Sequence, residues 1–339
     1  MMSYFGLLPA ALVGIDIAKL IERAIDMAQA CGAGVPVEAN PGALLGGVMG
    51  SLNKIGRDKV TFVTSTEIDS FGDWVEQLIA ESTGKEGKGI LPVVGETLGA
   101  PNVYADDRIF VHLRLGEDDD DIPALKALAH AGHPVLHLQL ADKYDLGAQF
   151  FLWEFATAVA GYFMEINPFD QPNVESAKVL ARQMVAEYEK TGKLPEADYA
   201  ALTSDSLARF LADCAPGDYI SLQAYVTLTP EAEAVLSAIR VNLRKKYKLA
   251  TTLGFGPRFL HSTGQLHKGD AGQGLFIQIT SEISEDLPIH DQPGSNTSTM
   301  SFQTLKNSQA LGDAAALEEA GRKLIRFQIN DIQELKHLT

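Results

Sequence analysis

Short apolar runs alternate along this chain with longer runs in which apolar residues recur every three or four positions. KVTFVTS (59–65), ILPVV (90–94), RIFVHLRL (108–115), PVLHLQL (134–140), DYISLQAYV (218–226), GLFIQIT (274–280) and KLIRFQI (323–329) read as strands. Helical periods cover 70–81, 121–131, 147–164 and 174–191, and a further helix runs from Thr229 to about Tyr247. Strands alternating with helices predict an α/β fold: a doubly wound, mainly parallel sheet flanked by helices in three layers. In such sheets ligands sit beyond the C-terminal strand ends. The best linker candidate is 192–200, but the strand pattern continues on both sides and the chain is not divided there. The start, MMSYFGLLPAALVGIDIAKLIERA, is apolar enough to resemble a signal peptide. It lacks a basic n-region, and Asp16, Lys19 and Glu22 interrupt it too early for a membrane span. It reads as a buried amphipathic helix that the chain enters with almost no lead-in.

Composition changes this picture little. Hydrophobic residues make up 46% of the 339 and charged residues 21%, as in a soluble globular protein long enough for a sizeable core. The formal net charge of −16, with no Lys/Arg-rich face, argues against nucleic acid or an anionic membrane as main partner. It leaves small anionic ligands open, because a few placed cations and helix N-termini can bind a phosphate. The two cysteines, Cys31 and Cys214, have no metal-ligand spacing and suit a reducing cytoplasm. The acids of GEDDDDIP (116–123) favour the positive end of the helix that follows. His130, His133 and His137 share no ligand pattern and are read as structural.

Two segments carry candidate chemistry. In QLIAESTGKEGKG (77–89) an apolar stripe of Phe71, Trp74, Val75, Leu78 and Ile79 runs out, and Glu81 stands in the last turn with Gln77 one turn earlier. Ser70 and Asp73 can cap the helix start, and Gly84 can supply a left-handed cap at its end. A carboxylate at the negative end of a helix is disfavoured by the dipole, so its pKa is expected to rise, as a general base near neutrality requires. The alternative is an ordinary surface glutamate. The Gly-Lys pairs at 84–85 and 87–88 are not a Walker loop. The second segment, GFGPRFLHSTGQLHKG (254–269), places Arg258, His261, His267 and Lys268 among Gly, Ser and Thr ahead of a strand. It fails the dinucleotide fingerprint, and its histidines do not have zinc spacing. A glycine-rich loop with interleaved His and cations suits proton transfer beside an oxyanion; a structural loop is the other reading.

Together these blocks resemble the glucose-6-phosphate isomerase family. SFGDWVEQLIAESTGKEGKGILPV is similar to the signature around that family's catalytic glutamate. GFGPRFLHSTGQLHKG is similar to the histidine segment in the isomerase half of bacterial transaldolase/glucose-6-phosphate isomerase fusions, and SYFGLLPAALVGID, NPFDQPNVESAK and QALGD also match that subgroup. The resemblance implies a sugar isomerase domain fold, with 1–56 as a helical lead-in and 57–339 as the second such domain with its C-terminal tail. The first domain, with its Ser/Thr phosphate loop, and a transaldolase module are absent from that correspondence. The chain then reads as a shortened frame, half of a split enzyme or a trimmed form.

The implied reaction interconverts glucose 6-phosphate and fructose 6-phosphate through a cis-enediol, without metal or organic cofactor. By resemblance Glu81 is the proton-shuttling base, Gln77 lies near the substrate, and His261 is the ring-opening histidine supplied across a homodimer. Arg258 is read with them as substrate-binding. The family lysine of an L-G-K motif corresponds to Asp313 in QALGD, and Lys306, seven residues earlier, either substitutes for it or is a surface lysine. Asp270 adds negative charge near the expected phosphate. Other readings stay open: a non-catalytic sugar-phosphate-binding module, an inactive fragment, or a chain that pairs with a separately encoded first domain.

Overall fold

The structure, a computed structural model, describes residues 2–258, 262–282 and 285–338, without the side chains of 174–177 and 262. These residues group into two compact units, one formed by Met1–Thr83, Gly89–Pro101 and Asp106–Asp170, the other by Gly84–Lys88, Asn102–Ala105 and Gln171–Thr339. The strands expected to form one series are divided between two four-stranded parallel sheets, one per unit. No helix among the described residues is long and apolar enough to cross a membrane.

In the first unit β1 (Lys59–Thr64), β2 (Leu91–Val93), β3 (Arg108–Leu115) and β4 (Val135–Leu140) pair in the order β2-β1-β3-β4. Their helices are α1 (Tyr4–Leu12), α2 (Ile17–Ala30), α3 (Pro41–Asn53), α4 (Phe71–Thr83), α5 (Ile122–His130) and α6 (Leu146–Met164). The core is Val60, Phe62, Ile109, Val111 and Leu113 of the strands under Val75, Ile79, Trp153 and Ala156 of α4 and α6. The helices α3 and α6 cross so closely that a Cβ on Gly46 would lie 2.3 Å from the Ala156 carbonyl oxygen. A buried Arg108 makes two hydrogen bonds to the Glu96 carboxylate, at 3.2 and 3.3 Å, inside this unit.

The N-terminal stretch differs from the single buried helix expected of it. It is two helices, broken at Gly14, where φ is +89°. The Asp16 side chain then caps α2 by accepting from the Lys19 amide at 3.1 Å. None of the α1 residues is buried, and Tyr4, Phe5, Leu8 and Leu12 are largely exposed.

In the second unit β5 (Tyr219–Tyr225), β6 (Ala250–Phe255), β7 (Gly274–Ser281) and β10 (Lys323–Ile329) pair in the order β10-β7-β5-β6, and the short β8 (Pro288–Ile289) and β9 (Met300–Ser301) form a separate pair. The helices are α7 (Val174–Thr191), α8 (Ser204–Phe210), α9 (Pro230–Tyr247), α10 (Ser262–Gly269) and α11 (Phe302–Glu319). Ile220, Leu222, Ile277, Ile279 and Phe327 build the core against Leu236 and Ile239 of α9. On the opposite strand face the register lines up Gln223 with Gln278, and Tyr225 with Thr280. All four are buried, and this polar layer underlies the candidate site.

Candidate functional site

The helix α4 buries Phe71, Val75 and Ile79, with Trp74 and Leu78 packed partly against the same cluster, as its periodicity predicts. Gln77 is exposed and Glu81 half-buried, and the Gln77 amide donates to Glu81 Oε2 at 3.3 Å. Two residues beyond Glu81, the Thr83 hydroxyl donates to the Ile79 carbonyl at 2.8 Å and accepts from the Ile90 amide at 3.0 Å. One buried side chain therefore ends the helix and ties it to the start of β2. Because α4 runs back antiparallel to β1, Glu81 lies at the end of its unit where strands begin. The general rule for ligands in parallel sheets, applied to this sheet, points to the other end.

Gly84 does not take the left-handed conformation expected of it. Those angles belong to Glu86 (φ 57°) and Gly87 (φ 71°). Lys85 and Lys88 exchange amide–carbonyl hydrogen bonds of 3.0 Å across them, a two-residue turn of the I′ kind. Gly84 is needed instead for close approach, since a Cβ there would sit 2.2 Å from the Leu266 Cα. Within the second unit the loop 84–88 is thus docked on α10. The Gln265 amide donates to the Gly84 carbonyl at 2.7 Å, its oxygen accepts from the Asn173 amide at 2.8 Å, and the Gly87 amide donates to the Gly269 carbonyl at 3.0 Å.

The segment read as a glycine-rich loop is therefore helical from Ser262. His261 lies outside the described residues. Arg258 is half-buried and engaged in an interaction of its own. His267 is buried, its ring edge-on to Phe276 at 4.9 Å between centroids and its Nδ1 3.4 Å from the Gln223 amide nitrogen. Burial, aided by the nearby Lys268 and Arg322 charges, holds its pKa well below the usual histidine value, so the ring is neutral. Arg322 closes the C-terminal end of α10 by donating to the carbonyls of His267 (2.9 Å), Lys268 (2.7 Å) and Asp270 (2.9 Å). Asp270 is bound by Arg322 at 3.1 Å and by the Tyr219 hydroxyl at 2.9 Å. The negative charge expected to face a phosphate is thereby matched inside the unit.

Asp313 is fully buried, and its Oδ1 accepts from the Lys268 ammonium at 2.9 Å. A lysine in its place would oppose Lys268. Lys306 donates to the Ser281 carbonyl at 2.6 Å, at the C-terminal end of β7, where the second sheet reverses its strand order. Its partial burial lowers its pKa. In the first unit His137 meets His112, their Nδ1 atoms 3.3 Å apart, a pairing that strand register alone creates.

Comparison with known proteins follows this geometry. Glucose-6-phosphate isomerase of Parabacteroides distasonis is 27% identical over 233 residues, 57% of this chain and 51% of that protein. Those of Heliobacterium modesticaldum and Methanocaldococcus jannaschii are each 30% identical, over 226 and 218 residues, covering 55% and 53% of this chain and 50% and 53% of theirs. The chain is similar in sequence to curated glucose-6-phosphate isomerases over somewhat more than half of its own length. It spans about half the length of the curated isomerases it matches. No protein-family model matches it. The C-terminal domain of glucosamine-fructose-6-phosphate aminotransferase from Francisella tularensis aligns over 100% of this chain and 94% of its own, but at 9% identity and a TM-score of 0.32 the likeness carries no argument.

Proposed function

We propose that this chain carries the proton-transfer half of a sugar-phosphate isomerase site that interconverts glucose 6-phosphate and fructose 6-phosphate. Glu81 is the base that moves a proton between C1 and C2, Gln77 orients its carboxylate, and His261 assists ring opening. One observation supports this reading above others. The loop that follows Glu81 by three residues is docked, through Gly84 and Gly87, on α10, which follows His261 directly. A base acting on two neighbouring carbons needs a fixed position, and the Thr83 bonds to Ile79 and Ile90 fix the C-terminal end of α4 within the first unit. No step calls for a metal or organic cofactor. Arg258 and Lys306 are assigned to the substrate phosphate. Lys268 is not assigned to it, being committed to Asp313, nor is Arg322, which closes the end of α10. A homodimer in the cytoplasm, with His261 serving the neighbouring protomer, completes the proposal.

A coupled assay of fructose 6-phosphate conversion tests it, on the chain alone and mixed with a polypeptide covering the other half of a curated relative. Turnover that falls on the order of 10²–10⁴-fold in Glu81→Gln supports the reading. Absence of turnover both alone and in the mixture overturns it, and sugar-phosphate binding without turnover favours a binding module instead.

A further inference from the structure

Glu81 stands two residues before the end of α4, where a helix has the fewest backbone bonds and frays first. A base there keeps its place only if the helix end is fastened from outside. The fastening is the Thr83 hydroxyl, which donates to the Ile79 carbonyl and accepts from the Ile90 amide. That N–H belongs to the peptide joining Gly89 to Ile90. The carbonyl of the same peptide, on Gly89, accepts from the Asn53 side-chain amide at 2.6 Å. A trans peptide points its C=O and N–H in opposite directions, so Asn53 and Thr83 grip one peptide from its two sides. Strand pairing does not set this peptide, because the register of β2 against β1 begins one residue later, with Leu91 beside Lys59.

Asn53 is a firm anchor. It is the last residue of α3, which lies on α6 along Gly42, Gly46 and Gly50. A Cβ on any of these three would come within 2.5 Å of an atom of α6, so α3 has no room to roll or slide. Donation to the Gly89 carbonyl also polarises the peptide and strengthens its N–H as a donor to Thr83. The clamp runs from Asn53 through the 89–90 peptide to Thr83, and from Thr83 to the turn of α4 that carries Glu81.

We propose that Asn53 is a positioning residue for Glu81, acting through the Gly89–Ile90 peptide and Thr83. The inference rests on the isomerase reading above, in which Glu81 is the base. Asn53 touches no substrate. It sets the turn from which the carboxylate reaches C1 and C2, where a displacement of about 1 Å can cost on the order of 100-fold in rate.

The test compares the parent with Asn53→Ala, Asn53→Asp, Thr83→Val and the double variant Asn53→Ala/Thr83→Val, alone and mixed with the polypeptide covering the other half of a curated relative, well below their melting temperatures. In Asn53→Ala the Ile90 amide is expected to exchange roughly 3–30-fold faster while the amides of β3 keep their protection. In the turnover assay kcat is expected to fall about 3–30-fold with KM changed by less than about twofold. Asn53→Asp, which keeps the shape and loses the donor, is expected to behave as Asn53→Ala does. The double variant is expected to match Thr83→Val in kcat within about twofold, because both side chains act through one peptide. Unchanged Ile90 exchange in Asn53→Ala overturns the proposal, whatever the activity. So does unchanged kcat in an active enzyme, so does the parent kcat in Asn53→Asp, and so do losses that multiply in the double variant. If the parent turns over and Glu81→Gln removes that activity while Asn53→Ala does not, the isomerase reading stands and the positioning role falls. If the parent shows no turnover, alone or mixed, the isomerase reading falls and takes the positioning role with it.

Discussion

A methyl group on Gly84 would lie 2.2 Å from the Leu266 Cα, closer than any real side-chain contact. The close approach is backbone against backbone, so neither side can yield by turning a rotamer. Gly84→Ala is therefore expected to destabilise the second unit by about 1–3 kcal/mol through overpacking. Calorimetry would read this as a fall in melting temperature of roughly 2–10 °C. If the isomerase reading holds, turnover should fall further than stability does.

The Gln77 amide reaches Glu81 Oε2 at 3.3 Å from one turn earlier. A hydrogen bond that orients a carboxylate contributes about 0.5–1.5 kcal/mol. Gln77→Ala is expected to lower kcat several-fold, on the order of tenfold at most, with little change in folding because the side chain is exposed. A steady-state assay beside a thermal melt checks both halves of that statement.

Thr83 is buried and bonds both the Ile79 carbonyl and the Ile90 amide. Thr83→Val keeps the shape and removes both bonds, leaving the Ile90 N–H without its acceptor. The expected cost is about 1–3 kcal/mol, the penalty for a buried unsatisfied donor. Urea unfolding with an unchanged slope and a lower midpoint would register it.

Three buried or part-buried histidines, His112, His133 and His267, have pKa values lowered chiefly by burial. Below about pH 6.5 the unfolded chain protonates these rings and the folded chain does not. Stability is thus full above about pH 7 and declines on acidification, by up to about 1.4 kcal/mol per pH unit for each such ring. His267→Gln should flatten the slope between about pH 6.5 and 5 relative to the parent, in denaturant melts taken across that range.

Most strands and several helices could be read from period alone. The helix α7 has the bounds its pattern indicates, 174–191, because its apolar stripe is continuous and Gly192 ends it with φ of +71°. What escaped was decided elsewhere. In β6, ATTLGF, threonines and a glycine dilute the apolar signal, and it is held by pairing to β5. In α10 two glycines and a single large aliphatic residue read as loop, since short helices of this kind depend on tertiary bonds. The break between α1 and α2 was hidden by an apolar run that continues through it. At the site, the place of Glu81 in its helix was legible, whereas the bonds of Lys268, Arg322 and Gln265 join positions far apart in sequence and no periodicity announces them.

The grouping of Gly84–Lys88 and Asn102–Ala105 with residues after 170 means that the second unit is threaded from three separate stretches of polypeptide. No single proteolytic cut or expression boundary can isolate it intact. A fragment starting at Gln171 would leave Leu266 uncovered and Gln265 without the Gly84 carbonyl, so it should be poorly soluble until a peptide spanning 84–88 is restored.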